Sequence, residues 1–504
     1  MLKPLPAAKW NYTTAAHLLN RAGFGGTPVE VEKIRKLGPE KAVDFFVDYE
    51  TLSDPLPSPA WAKAGEGPMG AMEVMRDLGK RTREAKTDEE RKAIDAERRK
   101  KVQEEQRREI QRILELRGWW LEAMANSPRP LQEKLTLFWH GHFATSAVKV
   151  RNGYFMYLQN DTFRKHASGN WLEMLTAVAK DPAMLLWLDQ AQSRKEHPNE
   201  NFAREVMELF ALGEGHYTEK DVTEAARAMT GFSIDRITQE FTYRPFFHDN
   251  GSKTVLGKNG NFDGNDFLKI IVDEPQAARF ISWKLWKFFA SEEAPAGLVD
   301  AMAESFRAKG NNFKPLLKQM FRSQEFYADS VIRSQVKSPT QWLVNTVKLL
   351  QRDLPPALVL SQLMRNLGQE LFAPPNVKGW DGGLSWITTN NLLARYNEAA
   401  MLVFAKGEIP PDAQKPGFRM AQERANNLLN RMPQVDVAKI LSPEQRNKKA
   451  LLIPALEKHF LAGQLKEKQR KVLTNYLESR GELDDEDIRH AIRLLMSTPE
   501  YQLT

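Results

Sequence analysis

The chain has 504 residues, of which 42% are hydrophobic and 27% charged, a composition typical of a globular protein with a large core. It contains no cysteine, which excludes disulfides, thiolate metal sites, iron–sulfur clusters and a cysteine nucleophile. The net charge of +7 arises from 72 basic and 65 acidic residues, so charges of both signs are abundant.

No apolar run approaches the roughly 20 residues that a membrane-spanning helix needs. The first ten residues, MLKPLPAAKW, also lack the continuous apolar stretch of a secretory signal. The sequence as it stands therefore predicts a cytoplasmic protein, or a periplasmic or cell-surface protein if a signal has been removed.

The N-terminal region is predicted to contain two short helices, at 14–22 and 28–37, and then a linker at 51–70 that is rich in proline and glycine. Thr27 is the expected N-cap of the second helix, because Pro28 suits the first helical position.

Residues 71–126 are predicted to form a charged helical arm, as one long helix or a helical pair. Between residues 80 and 112 there are 13 Lys and Arg against 9 Asp and Glu, with the signs interleaved. Interleaved charges favour salt bridges within a helix over a phosphate-binding stripe, so nucleic acid is not an expected partner. A structural arm or a contact surface for a protein partner is the expectation, anchored at Trp119, Trp120 and Leu121.

A new helix is predicted from Pro130, with the motif His140-Gly141-His142 near its end. In a continuous helix the two imidazoles point about 200° apart, so they can share a metal ion only if Gly141 breaks the helix. Two interpretations stay open. The histidines either pack near a helix end with their ring nitrogens bonded to backbone or carboxylates, or they serve a metal or catalytic site.

Further helices are predicted at 152–168 and 171–180. Asp181 and Pro182 are typical of a helix N-cap followed by proline at the first helical position. Asp189 directly follows the apolar run of that helix, so we expect it at the edge of the core, where its carboxylate caps another segment or serves a site.

The central segment begins at Asn199 and predicts an amphipathic helix. At about 100° per residue, its polar side carries Glu200, Arg204, Glu205 and Glu208, while its other side is apolar. One interpretation is a ladder of surface ion pairs. The other is a cleft in which Arg204 orients carboxylates and Glu205 or Glu208 acts as acid, base or metal ligand.

Short aromatic or β-branched segments predict a small β-hairpin or three-stranded patch near 232–256, inserted into an otherwise helical protein. Its turn carries His248 and Asp249, a pair that suits metal binding or general-base catalysis but that also orders turns. The predicted fold class is therefore mainly α, a multi-helix globular protein.

Helical periodicity returns from 274 to 350, with an aromatic stripe that we assign to the core. A compact loop rich in proline, glycine and tryptophan follows at 372–386 and includes Trp380, Asp381 and Trp386. An aromatic ring packs well against the apolar face of a sugar, so this loop is a candidate carbohydrate-binding surface. Buried loop anchors are the alternative.

These elements divide the chain into four predicted regions. They are N-terminal helices and linker at 1–70, the charged arm at 71–126, a main helical domain with the candidate site at 127–400, and a C-terminal helical region packed on it at 401–504. The sequence shows no repeat period, dinucleotide fingerprint, P-loop or Ser-His-Asp elbow.

Several ordered motifs resemble the bacterial family catalogued as domain of unknown function 1800. They are HLLNRAGFG at 17–25, FWHGHFAT at 138–145, DPAML at 181–185, NENFARE at 199–205, ARAMTGF at 226–232, PPNVKGW at 374–380 and STPEYQ at 497–502. The resemblance spans most of the chain. It implies no particular reaction, although members of the family often look exported.

Two functions stay open. The first is a hydrolase-type enzyme acting on a carbohydrate or cell-envelope substrate through carboxylates and histidines of the main domain. The second is a non-catalytic binding or assembly protein that partners a neighbouring enzyme. The candidate catalytic residues are Asp189, Asn199, Glu200, Arg204, Glu205 and Glu208; the candidate substrate-binding residues are Trp380, Asp381 and Trp386; the candidate ligands of a divalent metal ion are His140, His142, His248 and Asp249.

Overall fold

The fold is mainly α, as predicted, in a computed structural model that describes residues 2–54, 56–62, 69–235, 238–406 and 416–504. The predicted linker at 51–70 lies partly outside the described residues. The helices of the first half are α1 Tyr12–Arg21, α2 Pro28–Val47, α3 Met69–Glu84, α4 Asp88–Asn126, α5 Pro130–His142, α6 Ala147–Val150, α7 Gly153–Lys165, α8 Trp171–Ala179, α9 Pro182–Trp187, α10 Glu200–Glu205 and α11 Glu219–Ala228. A π-helical turn, Val206–Ala211, continues α10.

The second half of the chain is helical after a short β segment. Its helices are α12 Gly264–Asp273, α13 Pro275–Phe289, α14 Leu298–Ala308, α15 Phe313–Arg322, α16 Pro339–Leu349, α17 Ala357–Asn366, α18 Thr389–Phe404, α19 Pro416–Leu429, α20 Val437–Ile440, α21 Pro443–Asn447, α22 Lys449–Leu461, α23 Glu467–Glu478 and α24 Asp485–Met496. None of the helices in the described ranges has the length and apolar character to cross a membrane.

Helix starts follow the local sequence. Thr27 caps α2 by accepting a hydrogen bond from the Glu30 amide, and Pro28 occupies the first helical position. Asp181 caps α9 in the same way, with its carboxylate 2.8 Å from the Met184 amide nitrogen. Side-chain acceptors at these positions satisfy amides that have no partner within the helix, so a local pattern was sufficient to predict them.

The β segment consists of two separate two-stranded antiparallel sheets. In one sheet β1 Phe232–Ile234 pairs with β2 Phe241–Tyr243, and in the other β3 Lys253–Val255 pairs with β4 Lys258–Gly260. The sequence predicted a single patch and missed β4, because its residues are polar and lack β-branched side chains. Leu256 and Gly257, both at positive φ, form the tight turn of the second hairpin.

The arm is a helical pair formed by α3 and α4. The two helices are joined by an ion pair in which Arg81 lies 2.9 Å from Glu97. The 39 residues of α4 give it a length of about 58 Å. Its C-terminal end is held in the core by Trp120 and Leu121, both fully buried, in agreement with the predicted anchor.

Helix α5 lies between the two large hydrophobic clusters of the protein. Leu131, Leu135 and Trp139 belong to the first cluster, which is built largely from residues before position 332. Leu137 belongs to the second, to which α4, α16 and the C-terminal helices contribute. Packing on two sides fixes the orientation of α5, and part of its remaining surface faces a cleft.

Candidate functional site

A cleft of about 430 Å³ opens beside α5. Its floor consists of Lys134, Leu137, Phe138, Gly141 and His142, which recur at the three- and four-residue spacing of one helix face. The same helix therefore supplies residues to both hydrophobic clusters and to the cleft, and Leu137 belongs to the second cluster and to the cleft floor.

Aromatic side chains from distant parts of the sequence form the walls. Helix α13 contributes Trp283 and Phe288, and the 372–386 loop contributes Trp380 and Trp386. Trp386 is buried and Trp380 is half-buried. All three predicted substrate-binding residues, including the exposed Asp381, line this one cleft. Polar amides are added by Gln335, Gln341 and Gln369.

A backbone contact seats the tryptophan loop on the end of α5. Gly379 has φ +84°, and a Cβ atom there would lie 2.3 Å from the carbonyl oxygen of Gly141. The Phe372 ring also contacts the His140 ring edge to face, with 5.1 Å between centroids. The FWHGHFAT and PPNVKGW motifs are thus neighbours in space, and only glycine allows the close approach at position 379.

Lys134 is a buried cation on the cleft floor. Its ammonium donates a hydrogen bond to Oε1 of Gln341 and lies 4.8 Å from the ring centroid of Phe24. Burial, with a smaller contribution from the Arg21 guanidinium, lowers the pKa of Lys134 to about 7. No carboxylate pairs with Lys134 in the described part of the chain.

A second group of lysines lies on α13. Lys287 forms an ion pair with Glu292 at 2.8 Å. Lys284 has no such partner among the described residues; its ammonium lies 5.2 Å from the ring centroid of Phe280 and 5.4 Å from that of Trp283. Burial, and then the neighbouring Lys287, lower the pKa of Lys284.

His142 lines the cleft as a neutral imidazole. Its Nε2 lies 2.9 Å from the carbonyl oxygen of Phe210, which can only accept a hydrogen bond, so Nε2 carries the proton. Nδ1 is buried without a hydrogen-bond partner. Burial and the Lys284 charge lower the pKa of His142 to about 3, against a smaller opposing effect of the Phe210 carbonyl.

His140 points into a different environment, a buried polar network. Its Nε2 lies 3.1 Å from Nδ2 of Asn160, whose Oδ1 accepts a hydrogen bond from Arg164 at 3.4 Å. Arg164 forms an ion pair of 2.9 Å with Glu133, and Trp120 donates to the same carboxylate at 3.1 Å. Burial is the main cause that lowers the pKa of His140 to about 3. This environment corresponds to a structural histidine.

The predicted metal ligands do not assemble. Helix α5 continues through Gly141, so His140 and His142 lie on different sides of it, as a continuous helix requires. His248 is bonded to the carbonyl oxygen of Thr230 at 3.0 Å, and Asp249 pairs with Arg227 at 2.7 Å. Across the described ranges no group of three or more His, Asp or Glu side chains is arranged to hold a metal ion.

The polar side of the first turn of α10 lies on the surface, opposite the buried Phe202 and Ala203. Arg204 makes two hydrogen bonds, of 2.6 and 2.7 Å, to the carboxylate of Glu219 on α11, and lies 3.7 Å from Glu200. The side chains of Glu219 and Glu200 are 77% and 48% exposed. The part of the polar face around Glu200 and Arg204 is therefore a surface ion-pair network, one of the two predicted interpretations.

Glu205 and Glu208 form a half-buried carboxyl pair where α10 passes into the π-helical turn. Glu208 accepts a hydrogen bond of 2.8 Å from the Tyr217 hydroxyl. Burial, and then the negative charge of Glu208, raise the pKa of Glu205, while Lys378 and Arg204 oppose that shift. Neither carboxylate lines the cleft; the connection between them is the charge of Lys378, which lines the cleft and acts on Glu205.

Asp189 and Asn199 have local contacts. Asp189 is 59% exposed and forms an ion pair of 2.8 Å with Lys149. Asn199 donates a hydrogen bond of 2.7 Å to the carbonyl oxygen of Leu188, and its Oδ1 caps α10 by accepting from the Asn201 amide at 3.0 Å. Neither residue lines the cleft.

The family model for "Protein of unknown function (DUF1800)" matches residues 17–503. The chain belongs to the DUF1800 family. No curated protein and no solved structure matches it. Two of the motifs that carry the family resemblance, at 138–145 and 374–380, contribute directly to the cleft of this DUF1800 protein.

Sequence reasoning missed the cationic residues of the DUF1800 cleft. Lys134 and Lys284 were not singled out, because an isolated lysine in a helical segment is normally solvated. One available signal was the recurrence of Lys134, Phe138 and Gly141 on a single helix face. The aromatic stripe assigned to the core includes Trp286 and Phe289, which are fully buried as expected.

Proposed function

We propose that this DUF1800 protein binds a carbohydrate in the cleft beside α5. The observation that carries the proposal is the convergence of the exposed Trp283 and the half-buried Trp380 with amide side chains on one cavity, whose lining also includes the buried Trp386. Ligand sites in proteins are typically concave and aromatic, with a few polar groups that fix orientation. Indole rings offer flat apolar surfaces to sugar rings, while Gln341 and Gln369 offer donors and acceptors to hydroxyl groups.

The size of the cleft agrees with this function. A volume of about 430 Å³ lies within the range of roughly 300–1,000 Å³ that is usual for small-molecule sites. Asp381 is exposed at the cleft, where its carboxylate can accept hydrogen bonds from sugar hydroxyls.

The test is direct binding of oligosaccharides to the purified protein, measured by calorimetry and by quenching of tryptophan fluorescence. Trp380→Ala should weaken binding at least tenfold, because it removes one wall of the site. Trp10→Ala is the matched control, since Trp10 is a half-buried indole that packs on Tyr327 outside the cleft. Equal affinities of the wild type and Trp380→Ala would refute the proposed site.

A second function, hydrolysis, is favoured by the Glu205–Glu208 pair. A carboxyl group with a raised pKa beside a second carboxyl group is the arrangement by which an acid and a base divide their roles in glycoside hydrolysis. In this scheme Glu205 donates a proton to the leaving oxygen, and Glu208, held by Tyr217, acts as the base that activates water.

Hydrolysis is tested by the release of reducing ends from any oligosaccharide that the cleft binds. Glu205→Gln should abolish the activity but leave binding intact. Glu200→Gln, which alters only the surface network, should leave both activity and binding unchanged. A fully active Glu205→Gln protein would exclude this role of the pair.

Partner binding through the arm stays a prediction. The exposed half of α4 and the Arg81–Glu97 ion pair that joins it to α3 are compatible with it. Deletion of residues 69–112 should abolish co-purification with an enzyme encoded beside this protein and should preserve carbohydrate binding. An unchanged pull-down would count against a partner surface on the arm.

A further inference from the structure

The cleft is electrostatically one-sided. Its lining includes four lysines, Lys134, Lys284, Lys287 and Lys378, but only two carboxylate side chains among the described residues, Glu292 and Asp381. The Lys378 ammonium lies 3.8 Å from Glu214, which does not line the cleft. Glu292 is already paired with Lys287 at 2.8 Å. The balance of side-chain charge on the walls is therefore positive, and two of the lysines lack an acidic partner.

Lys134 is the more informative of the two. Lys134 is only 8% exposed, and within the described residues its ammonium donates a single hydrogen bond, to a neutral acceptor, Oε1 of Gln341. An ammonium group has three donors, and burying it without a counter-charge costs several kcal/mol. The rings of Phe24 and Phe288, with centroids 4.8 and 5.8 Å from Nζ, give only partial compensation. A negatively charged group in the cleft would supply the missing partner.

Lys284 provides a second cation at some distance from the first. It lies close enough to His142 for its charge to lower the pKa of that imidazole. His142 follows Lys134 by eight residues on α5, which corresponds to about 12 Å along the helix axis. Lys134 on the floor and Lys284 on the α13 wall therefore lie toward opposite ends of the cleft, so a ligand that reaches both must be extended.

We propose that the ligand of this cleft is an acidic oligosaccharide whose carboxylate, sulfate or phosphate groups pair with Lys134 and Lys284, an inference that rests on the carbohydrate-binding function proposed above. Charge-assisted hydrogen bonds to the two ammonium groups would select acidic sugars over neutral ones. The tryptophan walls would hold the sugar rings between these contacts. Because Lys134 is buried, its ion pair should be screened less by salt than a surface contact.

The experiment uses an array of oligosaccharides in matched sets, in which each neutral parent is accompanied by uronate, sulfate-ester and phosphate-ester forms. The full-length protein is applied at 0.15 M salt, roughly the physiological ionic strength. Lys134→Met and Lys284→Met are compared with the wild type. A double substitution of Lys36 and Lys41 by Met is the control, because it removes two exposed lysines outside the cleft.

The expected result is binding of acidic members only, weakened at least tenfold by Lys134→Met and by Lys284→Met and unchanged in the control. The relative signals of the uronate, sulfate and phosphate forms then identify the acidic group. Since Lys284 is only half-buried, Lys284→Met is informative even if Lys134→Met alters folding, which a thermal melt would reveal.

Other outcomes separate the two proposals. Equal binding of neutral and acidic members, lost in Trp380→Ala, would overturn the acidic ligand and preserve the carbohydrate site. If binding of acidic oligosaccharides weakens equally in the control variant, the cause is general attraction to surface charge, and the acidic-ligand proposal is overturned. Absence of binding by every set would refute both proposals.

Discussion

Lys134→Met tests whether a buried, unpaired ammonium lies under the cleft. The pKa of this lysine falls from its ordinary value of 10.5 to about 7 in the folded protein. Between these two values the unfolded chain binds a proton that the folded chain does not, so the free energy of unfolding rises with pH. The destabilisation is fully present below pH 7 and is relieved as the pH approaches 10.5.

The magnitude follows from about 1.4 kcal/mol per pKa unit, which gives roughly 4–5 kcal/mol for the whole shift. Integration between pH 6 and pH 9 leaves a change of about 2–3 kcal/mol. Methionine has a similar length and no charge, so the variant lacks this dependence. It also leaves Oε1 of Gln341 without its donor, at a cost of roughly 1–3 kcal/mol that does not vary with pH.

The assay is urea denaturation of wild type and variant at both pH values. The stability of Lys134→Met relative to wild type should fall by about 2–3 kcal/mol from pH 6 to pH 9. Taking the difference cancels the titration of other groups, such as Glu133. Lys287→Met, which removes an ion-paired lysine from the same cleft, controls for loss of a surface charge. A difference that is the same at both pH values would refute the assignment of Lys134 as a buried cation.

Three further predictions concern the surroundings of the cleft. Gly379→Ala should destabilise the protein by about 2 kcal/mol or more, the usual cost of a strained and overpacked site. The reason is that its Cβ would lie 2.3 Å from the Gly141 carbonyl oxygen. A thermal melt checks the loss of stability, and a ligand titration checks the weaker binding that should accompany it. Arg164→Met should cost roughly 3–5 kcal/mol by leaving Glu133 buried and unpaired. Burial raises the pKa of Glu133 to about 7 although Arg164 opposes the shift, so loss of Arg164 should raise it further. The destabilisation should therefore be larger at pH 8, where the wild-type carboxyl is ionised, than at pH 5, where it is protonated in both proteins. EDTA should leave the melting temperature unchanged, because His140, His142, His248 and Asp249 are held in separate hydrogen-bonded or ion-paired environments; a clear decrease would contradict these assignments.

Local structure was largely readable from the sequence. The N-caps at Thr27 and Asp181 and the helical pair of the arm depend on residues within one or two turns of each other, so their patterns are sufficient. Whether His140 and His142 can share a metal ion also depends on local structure, because Gly141 would have to break the helix between them. The continuous α5 then decided against a shared site.

The arrangement of the candidate site required the tertiary structure. The polar face of the central helix predicted one functional surface, but it is divided between an exposed ion-pair network at Arg204 and a half-buried pair at Glu205 and Glu208. Which carboxylates become half-buried depends on packing against α11 and on the position of Lys378, neither of which the helical period contains.

The sequence by itself determined that this protein is mainly helical, which residues begin its helices, and that its tryptophan loop is a candidate for sugar binding. Only the tertiary structure decided that this loop, one face of α5 and the exposed side of α13 surround a single cleft. The reason is physical: capping and helical periodicity are local interactions, whereas the burial of Lys134 without a counter-charge depends on segments that are hundreds of residues apart in the chain.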